Sequence, residues 1–206
     1  HLEQSEQRRL MGQVNAELER ELKRSAEELE VTRRRQRTHR LGAQALLDFS
    51  QKMESRFDRA DLQRHALIHL GTLLHVSGLC LFETQSSDSA WLTPARWHWI
   101  SEERVRGLRL PVASEFMRIL ASEGRPLRLG EFDHVPGTAW ECGLMAAAGF
   151  TVIAPLVVHR RMVGLIMLAD RNDGRPFEAA DLELLSLFAA STAQMMETTR
   201  ARERER

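Results

Sequence analysis

The sequence predicts an α+β fold: a sheet built around a buried hairpin with helices on both faces, preceded and followed by long coiled-coil helices. Three observations carry this. The stretch Phe150 to Phe177, FTVIAPLVVHRRMVGLIMLADRNDGRPF, holds two apolar runs around a basic tip. Neither run alternates, and a strand without alternation is covered on both faces. Residues 1 to about 44 hold no proline and are mostly Glu, Arg, Gln, Leu and Ala, the composition of a long helix. Between these two regions the periodicity switches repeatedly, as in a packed domain. The 206 residues suffice for one ordinary domain and an appendage, and the expected division is 1–44, 45–196 and 197–206.

The opening helix carries a seam. Met11, Asn15, Leu18, Leu22, Ser25, Leu29, Thr32, Gln36, His39, Ala43 and Leu46 follow an unbroken four-three spacing, the pattern of a coiled coil. One such seam needs a partner helix. Several of its positions are polar (Asn15, Ser25, Thr32, Gln36, His39), so it is weaker than a leucine zipper and adjustable. The basic run RRRQRTHR, Arg33 to Arg40, reads as a solvated helical face rather than a nucleic-acid or lipid patch, because Glu residues lie upstream.

Next, Asp61 to His75 places Leu62, Ala66, Leu70, Leu73 and Leu74 on one helical face. SGLCLFET is a strand, and AWLTPARWHWI another, with Pro94 marking a bend or an edge and Trp97 and Trp99 expected on one face. GLRLPV is a short strand. SEFMRILASEG is a helix capped by Ser114 and ended by Gly124, with Phe116, Ile119 and Leu120 inward. RPLRLGEF is strand and turn; DHVPGTAWECGLMAAAG is a loop and a short helix that Gly149 stops. After the hairpin and Pro176, the last helix has two faces. Leu182, Leu185, Ala189, Thr192, Met196 and Thr199 continue a four-three seam, while Leu184, Phe188 and Met195 face the sheet.

Lys+Arg and Asp+Glu both total 29, so no global field points to nucleic acid or an anionic membrane. The two cysteines, without CxxC spacing, fit a reducing compartment, and the expected location is cytoplasmic. No segment reads as a membrane span or signal peptide. The chain starts at His1 and stops in RARERER, so both ends are expected to continue as helices of a longer protein, in which a membrane anchor is compatible with this sequence.

In order, the motifs GFTVIAPLVVHRRMVGLIMLADR and the F-x-x-x-D of Phe177 and Asp181 resemble the GAF domain of bacterial signalling proteins, over about Leu46 to Met196. The resemblance implies an antiparallel sheet of about six strands, with the first and last helices on one face and a ligand pocket on the other. Dimeric members join two protomers through a parallel bundle of those helices. Some members with cyclic nucleotide pockets carry Asn-Lys…Phe…Asp-Glu; here Asp173 follows Asn172 and Leu182 follows Asp181, a departure from that pattern.

Candidates for the implied pocket are Cys80, Phe82, Trp97, Trp99, Phe132, His134, Trp140, Cys142 and Met145, which either line a ligand site or fill the space between sheet and loop. No catalytic or metal set is expected: His65 and His69 stand at i and i+4 without a third ligand. The sequence specifies no cofactor. Cys142 sits where bilin-binding relatives carry their linking cysteine but is followed by Gly143 rather than histidine, and His134 is the nearest axial candidate for a haem. A GAF-fold reductase of free methionine sulfoxide, using Cys80 or Cys142, is the alternative in another class.

The expected function is a non-catalytic sensory and dimerisation module. It would pass a signal through a parallel homodimeric bundle to a histidine kinase or diguanylate cyclase output domain, with a small-molecule ligand possible and no nucleic-acid or membrane contact. The expected dimer interface is Leu18, Leu22, Leu29, Gln36, His39, Ala43 and Leu46 with Leu182, Leu185, Ala189, Thr192 and Met196.

Overall fold

The computed structural model of the chain describes residues 17–30, 32–33, 59–84 and 89–204. The chain divides into two units, His1–Leu41 and Gly42–Arg206. In the first, residues 17–30 form helix α1, with 32–33 also helical, and Leu18, Leu22 and Leu29 are exposed. The seam positions Gln36, His39, Ala43 and Leu46, and the side chain of Leu62, lie outside the described residues.

The second unit runs α2 (Arg59–Leu74), β1 (Leu79–Thr84), β2 (Trp91–His98), α3 (Glu102–Val105), β3 (Leu110–Pro111), α4 (Glu115–Glu123) and β4 (Leu127–Arg128). A 3-10 turn (Leu129–Phe132), α5 (Ala139–Ala147), β5 (Phe150–Val158), β6 (Arg161–Ala169) and α6 (Ala179–Arg204) complete it. The strands form a 6-stranded sheet in the order β3-β2-β1-β6-β5-β4, antiparallel at every pair. The hairpin β5–β6 lies inside the sheet, which is why both of its strands are apolar but for Thr151 and, at the turn, Arg161.

Two cores result, one on each face. Val152, Ala154 and Leu156 of β5 and Ile166 and Leu168 of β6 pack with α2 and α6 through Leu67, Leu70, Leu185 and Phe188. The alternate residues Ile153, Leu165 and Met167 point the other way, to Phe116, Leu120, Phe132 and Met145. From Val152 to Leu156 and from Leu165 to Leu168 strand period two therefore holds though hydropathy does not alternate; it slips at the register shifts, where Phe150 and Val163 fall on the faces opposite Val152 and Leu165.

Several local devices follow from single residues. Ser114 accepts a hydrogen bond from the Met117 N–H at 3.3 Å and so caps α4, and Gly124 ends that helix at φ 61°. His159 and Arg160 both have positive φ, 48° and 63°, closing Val158 onto Arg161 as a two-residue turn. At the entry of α6, the Asp181 carboxylate accepts from the Glu178 N–H at 2.8 Å and from Arg171 at 2.9 Å. The aspartate of the F-x-x-x-D motif thus satisfies an orphan donor and ties the end of β6 to the helix. Pro94 lies beyond the two β2 residues paired with β3, beside a register shift against β1, so the expected bend and free edge coincide.

Differences from expectation are local. The four-residue α3 is too short to leave a period in the sequence. The last helix, expected after Pro176, runs as one α6 from Ala179 to Arg204.

Candidate functional site

The sheet face covered by α3, α4, the 3-10 turn and α5 is where chemistry-bearing side chains gather. From the sheet come Cys80 and Phe82 of β1, with Phe150 and Met167 beside them; from above come Phe116, Phe132 and Met145, all buried in one cluster. The rings of Phe116 and Phe132 meet with centroids 4.7 Å apart at a tilted angle, a favourable aromatic geometry.

The structure brings together Cys80, Phe82, Phe132 and Met145, with Trp97 and Cys142 partly buried against them. It separates the other three candidates. His134 and Trp140 are exposed. Trp99 is turned elsewhere: β2 ends at His98, Trp99 takes φ 54°, and its ring lies over Gly71 of α2, on the opposite side from Trp97. Strand alternation, which would have kept Trp97 and Trp99 on one face, stops one residue too early. Gly71 makes this contact possible, because any Cβ there would strike the Trp99 ring.

Sequence reasoning passed over Thr138 and Glu141. Thr138 is fully buried, and its hydroxyl donates to the Val135 carbonyl at 2.8 Å. Glu141 retains only 4% of its exposure. Thr138, Glu141, Met145 and Ala148 follow one another at helical spacing, and all four are buried, so Glu141 belongs to the inward face of α5. Among the described residues no hydrogen bond or ion pair reaches its carboxylate. The spacing to Met145 was the available signal; a glutamate at an inward position is unusual enough to hide it.

Burial pushes the Cys80 thiol far above its ordinary value. Cys142 is also raised, chiefly by burial, with the nearby Thr138 hydroxyl acting in the opposite sense. Both therefore stay as thiols at neutral pH, the inert rather than the nucleophilic form. Among the described residues no group of three or more His, Cys, Asp and Glu is placed to hold a metal ion. His65 instead sets its Nδ1 2.7 Å from the Asp61 carbonyl. No helix among the described residues is long and apolar enough to cross a membrane.

On the opposite face, α6 uses its seam inside the protomer. Leu185, Ala189, Thr192 and Met196, expected to face a partner, are buried with Leu184, Phe188 and Ala193 in the core beneath α2 and α6. A helix crossing both a sheet and a neighbouring helix needs an apolar stripe wider than a coiled-coil seam, and the two faces read in the sequence are halves of that stripe. Leu182 is half-buried at its margin, while Leu187 projects outward at 43% exposure.

The family model of the GAF domain matches residues 58–196, well over half of the chain. The chain belongs to the GAF family. Solved structures agree with this assignment. The GAF domain of a phosphoenolpyruvate-protein phosphotransferase from Coxiella burnetii aligns with a TM-score of 0.58 at 13% identity, covering 79% of this chain and 96% of that one. A domain of a putative two-component sensor histidine kinase from Sinorhizobium meliloti 1021 gives 0.53 at 14% identity, covering 73% and 98%. Free methionine-R-sulfoxide reductase from Neisseria meningitidis, solved with its substrate, gives 0.57 at 13% identity, covering 78% and 90%. At such identities the likeness is one of fold. No curated protein sequence matches the chain. In this GAF domain the cluster around Phe82 and Met145 occupies the sheet face opposite the first and last helices of the domain, α2 and α6.

Proposed function

We propose that this GAF domain is a non-catalytic sensory and dimerisation module of a larger signalling protein. A change at the α4–α5 face is passed through the sheet to α6, and from there to an output domain of the histidine kinase or diguanylate cyclase kind. The observation that carries this reading is the sharing of β1, β5 and β6 between two cores. Adjacent residues such as Ile153 and Val152, or Leu165 and Ile166, belong to opposite faces of the same strands. Packed interiors are dense, so a change of volume on one face shifts strands against which α6 is seated on the other. The buried Cys80 and the half-buried Cys142, both held as thiols, favour sensing over reductase chemistry.

The dimer in this reading is parallel. On α1 the exposed Leu18, Leu22 and Leu29 keep the four-three spacing. On α6 the partner-facing line is Leu187, Ala190 and Gln194, since the stripe through Leu185 and Met196 is already covered. Hydrogen exchange tests the coupling. Met145→Ala should loosen α5 and also speed exchange along α6; a change confined to α4 and α5 would remove the proposed route. Sedimentation at several concentrations tests the dimer.

A further inference from the structure

Glu141 is the one carboxylate on the inward face of α5, one turn from Met145 and two from Ala148, both members of the apolar cluster on that sheet face. A carboxylate held there, at 4% exposure, keeps little of its hydration, and a cation or hydrogen-bond donors are what would replace the lost water. The protein offers neither: among the described residues no donor or cation pairs with it. Nor is it sealed. Among the described residues the fully enclosed unpartnered side-chain oxygens are Thr151 Oγ1, Thr192 Oγ1 and Glu197 Oε2. The Glu141 oxygens are not among them, so this carboxylate is not fully enclosed.

A neutral apolar residue would fill this position more stably, as it does at Met145. Native proteins keep such costly groups where a ligand completes them. We infer that Glu141 anchors a small ligand that carries an ammonium or similar cationic N–H group on an apolar body. The carboxylate fixes the cation, while side chains such as Met145 and Phe132 receive the body; sites of this kind combine an apolar wall with few polar anchors. The inference rests on the sensory reading above and names the chemical class that the site would take.

The experiment uses the chain itself with benzylamine as probe, against benzyl alcohol and benzoate as neutral and anionic controls. Calorimetry supplies affinities, and methyl NMR of Met145 and Ala148 supplies the location. Benzylamine should bind and shift both methyl signals, with the two controls at least about tenfold weaker. Glu141→Gln should weaken the amine by about tenfold or more, the loss expected for a charged hydrogen bond. Glu141→Leu should abolish amine binding while keeping or raising the Tm, a combination that a merely structural glutamate would not produce.

The inference is overturned if no amine binding is detected. It is equally overturned if benzoate competes equally, if Glu141→Gln binds the amine like the parent, or if Glu141→Leu lowers the Tm. These failures leave the coupling measurement on Met145→Ala untouched. A responsive α6 with an indifferent Glu141 would keep the sensor and discard this anchor.

Discussion

Arg200 of α6 stands 3.5 Å from Glu83 of β1, with both side chains largely shielded at 14% and 17% exposure. Gln63 of α2 donates to the same carboxylate oxygen at 3.1 Å. One turn earlier on α6, Glu197 pairs with Arg161 of β6 at 2.8 Å. Since Glu83 lies opposite Gly164 across the β1–β6 ladder, these contacts form a polar clasp on the helix just beyond its last fully buried residue, Met196. Breaking a shielded pair leaves an uncompensated charge, whereas exposed pairs contribute little.

Glu83→Gln should therefore lower stability by about 1–2 kcal/mol and speed exchange selectively in the last two turns of α6. Arg118→Ala, which removes an exposed pair with Glu115 on α4, should change neither by much. Urea titration with exchange mass spectrometry reads both quantities, and unaltered protection of α6 in Glu83→Gln would argue against the clasp.

Thiol chemistry gives a second expectation. Cys80 is fully enclosed and Cys142 only partly, with both thiols raised by burial. A disulfide reagent near neutral pH should modify Cys142 slowly and Cys80 only after unfolding. Cys80→Ser should retain ligand-independent properties while losing stability, because it buries a hydroxyl in an apolar strand. Rapid labelling of Cys80 in the folded chain would reopen the reductase reading.

Much of this architecture was legible because it rests on short-range rules. The hairpin turn, the stops at Gly124 and Gly149 and the cap at Ser114 all depend on residues within a turn of one another. Trp99 was misplaced because a strand end at His98 and a positive φ leave no mark in an alternating pattern. The α6 stripe was divided wrongly because periodicity tells which residues are covered, not by which neighbour. Glu141 went unseen for a related reason: polarity at an inward position argues against burial until the packing of α5 is known.

The corrected division of α6 separates two leucines only two positions apart. Leu185 is enclosed in the core, so Leu185→Ala should cost about 2–5 kcal/mol. Leu187 is 43% exposed, so Leu187→Lys should leave monomer stability nearly unchanged and weaken self-association. Sedimentation paired with denaturation distinguishes these effects. A Leu187→Lys variant that associates like the parent would move the proposed seam off this face.

Two glycines predict opposite signs for the same substitution. A Cβ on Gly164 would lie 2.5 Å from the Phe82 backbone carbonyl oxygen, so β1 and β6 would have to part. Gly164→Ala should cost about 1–3 kcal/mol. Around Gly143, on the outer side of α5, a Cβ meets nothing within 4 Å. Gly143→Ala should stabilise by about 0.5–1 kcal/mol through helix propensity alone. Equal effects in thermal unfolding would show that neither the close approach nor the helical preference governs these sites.

Acid should destabilise the domain in two stages. His98 is held below its ordinary value by burial and, to a lesser degree, by Arg64. Asp173 is held below its own, first by a hydrogen bond from Arg171 and then by the Arg175 N–H; Glu115 is lowered by Arg118. In each case the folded pKa lies under the unfolded one, so the unfolded chain binds more protons as pH falls. The stabilisation is complete above the unfolded value and is lost as pH falls through the folded one. For His98 the decline begins below about pH 6.5, and for the carboxylates below about pH 4. Urea midpoints measured across this range should fall gently at first and then more steeply. His98→Gln should flatten only the first decline, and Asp173→Asn should reduce only the second. If the His98→Gln and parent curves superpose from neutrality to about pH 5, His98 is not the group that titrates.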